Sequence, residues 1–431
     1  MTRFIDQLEK NVVDDKKFSP SQAMKENFYP QMNEAYQNYL KTGTIRSMYS
    51  SCFAFNEENM KKVSMSPSIK IRLNEEIDPA RLQKALDKAV QVCPYAAFDI
   101  AKRDGLIYFQ KNTLPIALHK SGTIEEFGTA QNNNHYVVAA FDKDTLEITV
   151  SHILTDGFGI NCFVRAVMDF YFGKEKTAYV GANQPDFVAD LMSQPLPLPE
   201  GYEPKNYALE DKFIPPEKLT AEKNKTFKHT INISAKAFSG FCRKYRISAQ
   251  IAVSILLADA VQKAHPQNEK IISVRGPVNT RSPLKVPNTF QNASVPHIFL
   301  NVEPHWLKND LPAEALDTLK RDFSDQCSYE NLAAFTNRVN VFVNKKSSEE
   351  IQATCSAYKN QTDIFANFMG KMFDDDIAES ISFEQSMSAS YPLMMYAMQF
   401  GAIISLQVFQ SFPSTVYVES LQRVLRDRNL I

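Results

Sequence analysis

The sequence lacks an excess of charge of either sign. Its 431 residues carry 48 lysines and arginines against 49 aspartates and glutamates, which gives a formal net charge of −1 at pH 7. A near-neutral chain has no general electrostatic attraction to nucleic acid or to an anionic lipid surface. We therefore expect no nucleic-acid partner.

Paired cysteines and a secretory signal are also lacking. The six cysteines are scattered, and none forms a CxxC pair or a metal-like spacing with histidine. The opening stretch MTRFIDQLEKNVVDDKK is charged where a signal peptide needs an apolar run. These features predict free thiols, no metal site and a reducing, cytoplasmic location.

The signatures of several common chemistries are missing. The chain has no GxGxxG loop, Walker loop or HExxH pair, so nicotinamide, nucleoside triphosphate and zinc chemistry have no support. Residues 385–418 are free of charge, and this length is sufficient for a membrane helix. Serines, glutamines, a proline and a glycine interrupt the stretch, so we interpret it as two core strands joined at Gly401 and expect no transmembrane segment.

Hydrophobic periodicity divides the chain into two α+β halves. In the first half, SPSIKIRLNEEI alternates as a half-buried strand, Asp78-Pro79 begins a helix, and two hairpins follow. Prolines and charges concentrate in residues 193–225, which predicts a linker. We therefore predict an N-terminal domain over 1–192 and a C-terminal domain over 226–431, the latter with a long helical region over about 312–357.

A histidine stands at the end of the second hairpin, with an aspartate–glycine pair behind it. In TVSHILTDGFGINCFVRAV these residues are His152, Asp156 and Gly157, and an amphipathic helix follows. An imidazole titrates near neutrality, so His152 is suited to accept a proton from a hydroxyl, thiol or amine. We expect backbone to hold its other ring nitrogen, Asp156 to bond an arginine, and Gly157 to supply a backbone angle or close approach that other residues forbid. The alternative is a plain turn with Asp156 as a helix N-cap.

Three segments carry a resemblance to a known superfamily. HILTDG resembles the HxxxDG active-site motif of the chloramphenicol acetyltransferase-like superfamily, which includes alcohol acetyltransferases, polyketide-associated acyltransferases and condensation domains of peptide synthetases. VRGPVNTRSPLKVPNTFQNAS, residues 274–294, resembles the PVNxR segment of alcohol acetyltransferases, and TDIFANFMGKM more weakly resembles a strand-end element with asparagine and glycine. The BAHD sequence DFGWG is missing, which places the chain outside that plant-type branch.

This resemblance implies a fold and a set of site residues. The expected fold is α+β, with two chloramphenicol acetyltransferase-like domains, each a mixed β-sheet covered by helices, and an active-site tunnel between them. His152 is then the general base, and Asp156 is a structural residue that pairs with an arginine. Arg281 is the first candidate for that partner, and Arg275 and Arg46 remain alternatives. The candidate oxyanion or acyl-site donors are Asn367 and Asn292.

The resemblance also implies an activity. It is the transfer of an acyl group, acetyl by preference, from a coenzyme A thioester to a hydroxyl acceptor by a monomeric enzyme, with acyl-CoA as co-substrate and no bound cofactor. One alternative is a condensation-like enzyme with an acyl carrier protein as partner or an amine as acceptor. Another is a non-catalytic binding protein on the same scaffold. His297 is interpreted as a strand histidine rather than a pocket residue, and the other histidines as surface residues (His119, His135, His229, His265, His305).

Overall fold

The computed structural model describes most of the chain. The described residues are 41–47, 61–103, 106–174, 196–220, 225–281, 297–308, 310–345, 350, 363–373, 378–386 and 391–431. Within these ranges the structure contains fourteen β-strands in three sheets and seven α-helices.

The first half contributes seven strands and two helices. The strands are β1 (Thr44–Ser47), β2 (Ser68–Leu73), β3 (Phe98–Arg103), β4 (Leu106–Lys111), β5 (Leu118–Lys120), β6 (Val137–Asp142) and β7 (Thr145–Val150), and the helices are α1 (Pro79–Val92) and α2 (Gly157–Tyr171). The predicted hairpins are confirmed, since β3 pairs with β4 and β6 with β7, both antiparallel. Asp78 caps α1 as predicted, because its carboxylate accepts from the backbone N–H groups of Ala80 and Arg81.

The second half contributes the remaining strands and helices. The strands are β8 (Phe227–Ser234), β9 (Ile272–Pro277), β10 (His297–Val302), β11 (Ile364–Phe373), β12 (Ala378–Glu384), β13 (Leu393–Phe400) and β14 (Ile403–Gln410), and the helices are α3 (Ala235–Tyr245), α4 (Ala249–Ala264), α5 (Ala313–Gln326), α6 (Tyr329–Lys345) and α7 (Val416–Asp427). The long helical region predicted over about 312–357 contains two helices, α5 and α6, in the part that the structure describes. The helix breaks after Gln326 because Ser328 begins a new one, with its hydroxyl accepting from the Asn331 N–H at 3.2 Å.

The uncharged stretch near the C-terminus forms two core strands, as predicted. Strands β13 and β14 pair antiparallel, from Leu393 opposite Gln410 to Phe400 opposite Ile403. Among the described residues no single helix is long and apolar enough to cross a membrane. By length and composition α3 and α4 pass that test together, but they meet at a bend of 95°.

The sheets exchange one strand between the halves. The six-stranded sheet has the order β10-β9-β11-β13-β14-β8 and consists of second-half strands, of which β9, β11 and β13 run parallel. The five-stranded sheet has the order β12-β2-β7-β6-β5, so a second-half strand lies at the edge of the first-half sheet. In this pairing Ala378 stands opposite Leu73, and Glu384 opposite Ser68. The division at 193–225 stays a prediction, and this exchange is a feature that it did not include.

Strand β11 lies where the two hydrophobic cores meet. Its side chains alternate between them, because successive residues of a strand point to opposite faces. Phe365 packs in the core of the first half, whereas Ile364 and Ala366 pack in the core of the second half. A side chain on the Phe365 face of β11 is therefore directed towards the half that contains His152.

Candidate active site

His152 is held in the turn that joins β7 to α2. Its Nδ1 lies 3.2 Å from the carbonyl oxygen of Thr155. A carbonyl oxygen accepts hydrogen bonds and does not donate them, so Nδ1 carries the proton and Nε2 is the basic nitrogen. This is the backbone anchor that the sequence led us to expect. Burial is the largest influence on the ring and lowers the pKa of His152, while the bond to Thr155 and the charge of Asp156 partly oppose it. The neutral imidazole is therefore favoured, which is the form that a general base requires.

Asp156 has two structural contacts at once. Its Oδ1 accepts from the Gly159 N–H at 3.0 Å and so caps α2. Its carboxylate also accepts two hydrogen bonds from the guanidinium of Arg281, from Nη1 to Oδ2 and from Nη2 to Oδ1, each 2.9 Å long. The cap and the arginine pair were alternative interpretations of the sequence, and the geometry contains both.

The pair of Asp156 and Arg281 is buried and joins the two halves. Each of the two side chains is 2% exposed, so water contributes little to the stability of either charge. Asn279 assists, because its Oδ1 accepts from the backbone N–H and from Nη1 of Arg281 at 3.1 and 3.2 Å. The guanidinium carbon lies 4.4 Å from the ring centroid of Phe158. Such a two-bond pair fixes orientation as well as distance, so the turn behind His152 is tied to the segment after β9.

The alternative arginine partners are not at Asp156. Arg275 instead donates from Nη1 to Oδ2 of Asp363 at 2.8 Å, and Lys212 bonds the other oxygen of that carboxylate. The side chain of Arg46 lies outside the described residues. Of the described candidates, Arg281 is therefore the one that bonds Asp156.

The expectation for Gly157 is wrong. Its φ is not in the left-handed region, and a Cβ at this position would lie 3.6 Å from Cε of Met369, an ordinary van der Waals distance. Gly157 is the first residue of α2. Residues other than glycine can adopt the helical backbone conformation at this position, provided that their side chains do not clash. Neither a special angle nor a close approach requires glycine here.

Asn367 lies on β11, on the face shared with Phe365 that is directed towards the first half. The same strand contacts the helix behind His152, since Nδ2 of Asn161 donates to the carbonyl oxygen of Met369 at 3.1 Å. The structure therefore brings the Asn367 strand to α2. Asn292 and the side chain of His297 lie outside the described residues.

Asn161 is a residue that the sequence analysis missed. It occupies a buried position of α2, next to Ile160 and one turn from Val164. A polar residue on a helix face that is otherwise apolar was the available signal, because a buried amide needs a specific partner.

Other features of the structure lie away from this site. A cavity of about 490 Å³ opens between α3, α4 and α7, and its lining includes Lys244, Lys263 and Arg428 but none of the predicted site residues. Among the residues that the structure describes, no group of three or more histidine, cysteine, aspartate or glutamate side chains is arranged to hold a metal ion. The predicted tunnel remains a prediction.

The chain is similar to solved structures. No family model and no curated protein matches it. Among solved structures, TRI3 trichothecene 15-O-acetyltransferase from Fusarium sporotrichioides is similar with a TM-score of 0.60 and 13% identity, covering 90% of this chain and 94% of that one. TRI101 from F. sporotrichioides, complexed with coenzyme A and T-2, is similar with a TM-score of 0.57 and 13% identity, covering 88% of this chain and 97% of that one.

A third similar structure comes from a peptide synthetase. The first condensation domain of the CDA synthetase has a TM-score of 0.58 and 11% identity, covering 90% of this chain and 96% of that one. All three belong to the chloramphenicol acetyltransferase-like superfamily. Likeness at this identity concerns the fold and extends over nearly the whole chain, so the predicted fold class is confirmed. The chain has the two-domain chloramphenicol acetyltransferase-like fold.

Proposed function

We propose that this chain is an acyltransferase that moves an acyl group, acetyl by preference, from a coenzyme A thioester to a hydroxyl acceptor. The observation that carries the proposal is the anchored imidazole of His152. Its Nδ1–H is held by the Thr155 carbonyl, which leaves Nε2 as the base, and its turn is tied to the second half through Asp156 and Arg281. The printed names of two similar structures support the proposal: TRI3 is named an acetyltransferase, and TRI101 is complexed with coenzyme A and T-2.

The proposed reaction needs one base and no covalent enzyme intermediate. Nε2 of His152 removes the hydroxyl proton while the acceptor oxygen attacks the thioester carbonyl carbon. The carbonyl oxygen then carries the negative charge of a tetrahedral intermediate. As the carbon–sulfur bond breaks, the imidazolium returns the proton to the departing thiolate, which gives the ester, free coenzyme A and neutral His152.

The tetrahedral intermediate needs a hydrogen-bond donor for its oxyanion. Asn367 is our candidate, because its strand passes α2 and its side chain is on the face directed towards the first half. Removal of such a donor costs on the order of 100-fold or more in kcat. Asp156 is proposed to act on the turn rather than on substrate, since its oxygens are engaged by Arg281 and by the Gly159 N–H.

The test is thiol release from acetyl-CoA across a panel of alcohols, phenols and amines. The wild-type chain should release thiol in an acceptor-dependent way. His152→Ala should lose about 100-fold to 10,000-fold of that rate while its thermal unfolding stays close to wild type. His305→Ala is the matched control, because its side chain is 63% exposed and lies outside the site. Unchanged turnover in His152→Ala would refute the role of the base.

A second candidate keeps the same base but changes the donor. The likeness to a condensation domain is comparable to that of the acetyltransferases, so an acyl thioester on a carrier protein is the next donor to test. This candidate would be favoured if the folded protein releases no thiol from acetyl-CoA but transfers the acyl group from an acylated carrier protein. Silence with both donors would favour the non-catalytic binding protein. The monomeric state and cytoplasmic location remain predictions.

A further inference from the structure

The side-chain amide of Gln250 bonds β11 on both sides of Asn367. Its Nε2 donates to the carbonyl oxygen of Ala366 at 2.8 Å, and its Oε1 accepts from the N–H of Phe368 at 2.9 Å. Gln250 lies in the first turn of α4, so the bonds tie this helix to the strand. The two peptide groups that flank Asn367 are thereby fixed by one side chain.

Gln250 continues the sheet where strand pairing ends. Strand β9 pairs with β11 at Ile364 and Phe365, opposite Val274 and Arg275. The next outward-pointing groups of β11 on this edge are the Ala366 carbonyl and the Phe368 N–H, and the amide of Gln250 bonds them as a neighbouring peptide would. A buried backbone group that loses its partner is costly, so this contact determines the path of β11 at Asn367.

Gly276 provides the space in which that amide lies. A Cβ on Gly276 would stand 2.7 Å from Nε2 of Gln250 and 2.8 Å from the Ala366 oxygen. Both distances are shorter than real Cβ contacts permit. Glycine is therefore required in the VRGPVN segment for a reason separate from backbone angle, namely the close approach of Gln250 and β11.

The other half holds the same strand just beyond Asn367. Nδ2 of Asn161 donates to the Met369 carbonyl at 3.1 Å, and the register of β11 shifts between Phe368 and Lys371. Gly370 has φ +87° within this shift, a conformation that favours glycine. The irregular segment after Asn367 is thus held by an amide from α2, and the regular segment before it by an amide from α4.

We propose that Gln250 and Asn161 are positioning residues that hold Asn367 at the oxyanion, with Gly276 making room for Gln250. The inference rests on the proposed function, and it adds two residues that act through the strand rather than on substrate. It predicts that loss of either amide lowers kcat and leaves the KM for the acyl donor little changed.

The experiment measures kcat and the thioester KM for Gln250→Ala, Asn161→Ala, Gly276→Ala, Asn367→Ala and the double variant of Gln250 and Asn367. Asn161→Ala should lower kcat as Gln250→Ala does, and an unchanged kcat would overturn its positioning role. The single changes at 250 and 276 should lower kcat by about 10-fold to 100-fold, as expected for a reacting group displaced by about 1 Å. In the double variant the Gln250 change should add less than about twofold, because Asn367 is the group through which it acts.

Gln326→Ala is the matched control. Gln326 is also a glutamine that bonds a strand edge through both amide atoms, at 2.9 Å to the N–H and 2.9 Å to the carbonyl of Phe299. It supports β10, where no proposed site residue lies. Its loss should destabilise the fold to a similar degree and leave kcat within about twofold. Gln250→Glu keeps the side-chain volume and is measured in case Gln250→Ala does not fold.

The outcomes separate this inference from the proposed function. If His152→Ala is inactive but Gln250→Ala behaves like Gln326→Ala, the positioning role is wrong and the base remains. If the kcat losses of the Gln250 and Asn367 changes multiply in the double variant, the positioning role is wrong as well. Amide hydrogen exchange at Phe368 is measured whether or not a substrate is found, and unchanged protection in the Gln250 variants would refute the contact itself.

Discussion

Substitution of Asp156 and Arg281, singly and together, should give strongly non-additive losses of stability. Each partner is 2% exposed and the pair makes two bonds of 2.9 Å. Removal of one charge leaves the other buried and unpaired, which costs about 3–5 kcal/mol in the free energy of unfolding. Asp156→Asn retains an oxygen for the Gly159 N–H, so this change removes the charge while preserving an acceptor for the helix cap.

The double variant with Arg281→Gln leaves no isolated charge at the site. Its loss of stability should therefore be smaller than the sum of the single losses by about 2 kcal/mol, near the upper part of the range for contacting pairs. The exposed pair of Lys263 and Asp427, 2.8 Å apart with side chains 37% and 60% exposed, is the control. Its coupling energy should be about 0–1 kcal/mol.

The assay is equilibrium urea unfolding, followed by far-ultraviolet circular dichroism and by the fluorescence of Trp306, the one tryptophan of the chain. Coincident transitions by both probes establish that a single unfolding free energy applies. Losses for Asp156 and Arg281 that add within about 0.5 kcal/mol would refute the reasoning, because independent sites behave in that way.

Three further predictions follow from the site and its surroundings. The acid limb of the pH profile of kcat/KM should have its midpoint below pH 6.5, the ordinary pKa of histidine, because burial lowers the pKa of His152 and the base is lost only when the ring protonates. Asp156→Asn should move this midpoint lower still, since the Asp156 charge raises the pKa of His152. A midpoint at or above pH 6.5 would contradict the assignment. Urea unfolding should show Gly157→Ala within about 1 kcal/mol of wild type, whereas Gly276→Ala should cost about 1–3 kcal/mol; equal effects would contradict the contrast in space at the two glycines. The Cys93 thiol, buried with its pKa raised to about 12, should react with a disulfide reagent at the rate of unfolding, and fast reaction of the folded chain at this residue would be inconsistent with its burial.

Local patterns in the sequence predicted the elements that depend on local physics. The alternation before Asp78 and the proline after it are sufficient for β2 and the start of α1, because burial and capping act within a few residues. The break after Gln326 was not predicted, since no glycine or proline marks it and Ser328 resembles any other helix-region serine. The buried state of His135, whose Nε2 lies 2.9 Å from the Leu114 carbonyl, depends on a distant loop and was wrongly interpreted as exposure.

The site shows the same division between local and distant information. The turn from His152 to Asp156 is local, and its anchor through Thr155 follows from three residues of chain. Arg281 entered through a resemblance, since nothing in its own surroundings distinguishes it from an exposed loop arginine. Gln250 carried no signal at all, because its partners lie more than 100 residues away on β11.

The exchanged strand β12 has a consequence for how the chain folds during synthesis. The edge of β2 is paired by residues about 300 positions later, so the first-half sheet stays incomplete until residues 378–384 have left the ribosome. An uncovered strand edge is a template for pairing with other chains, and contacts this distant in sequence form slowly. Refolding from denaturant should therefore be prone to aggregation. A chain shortened before residue 378 would expose that edge permanently.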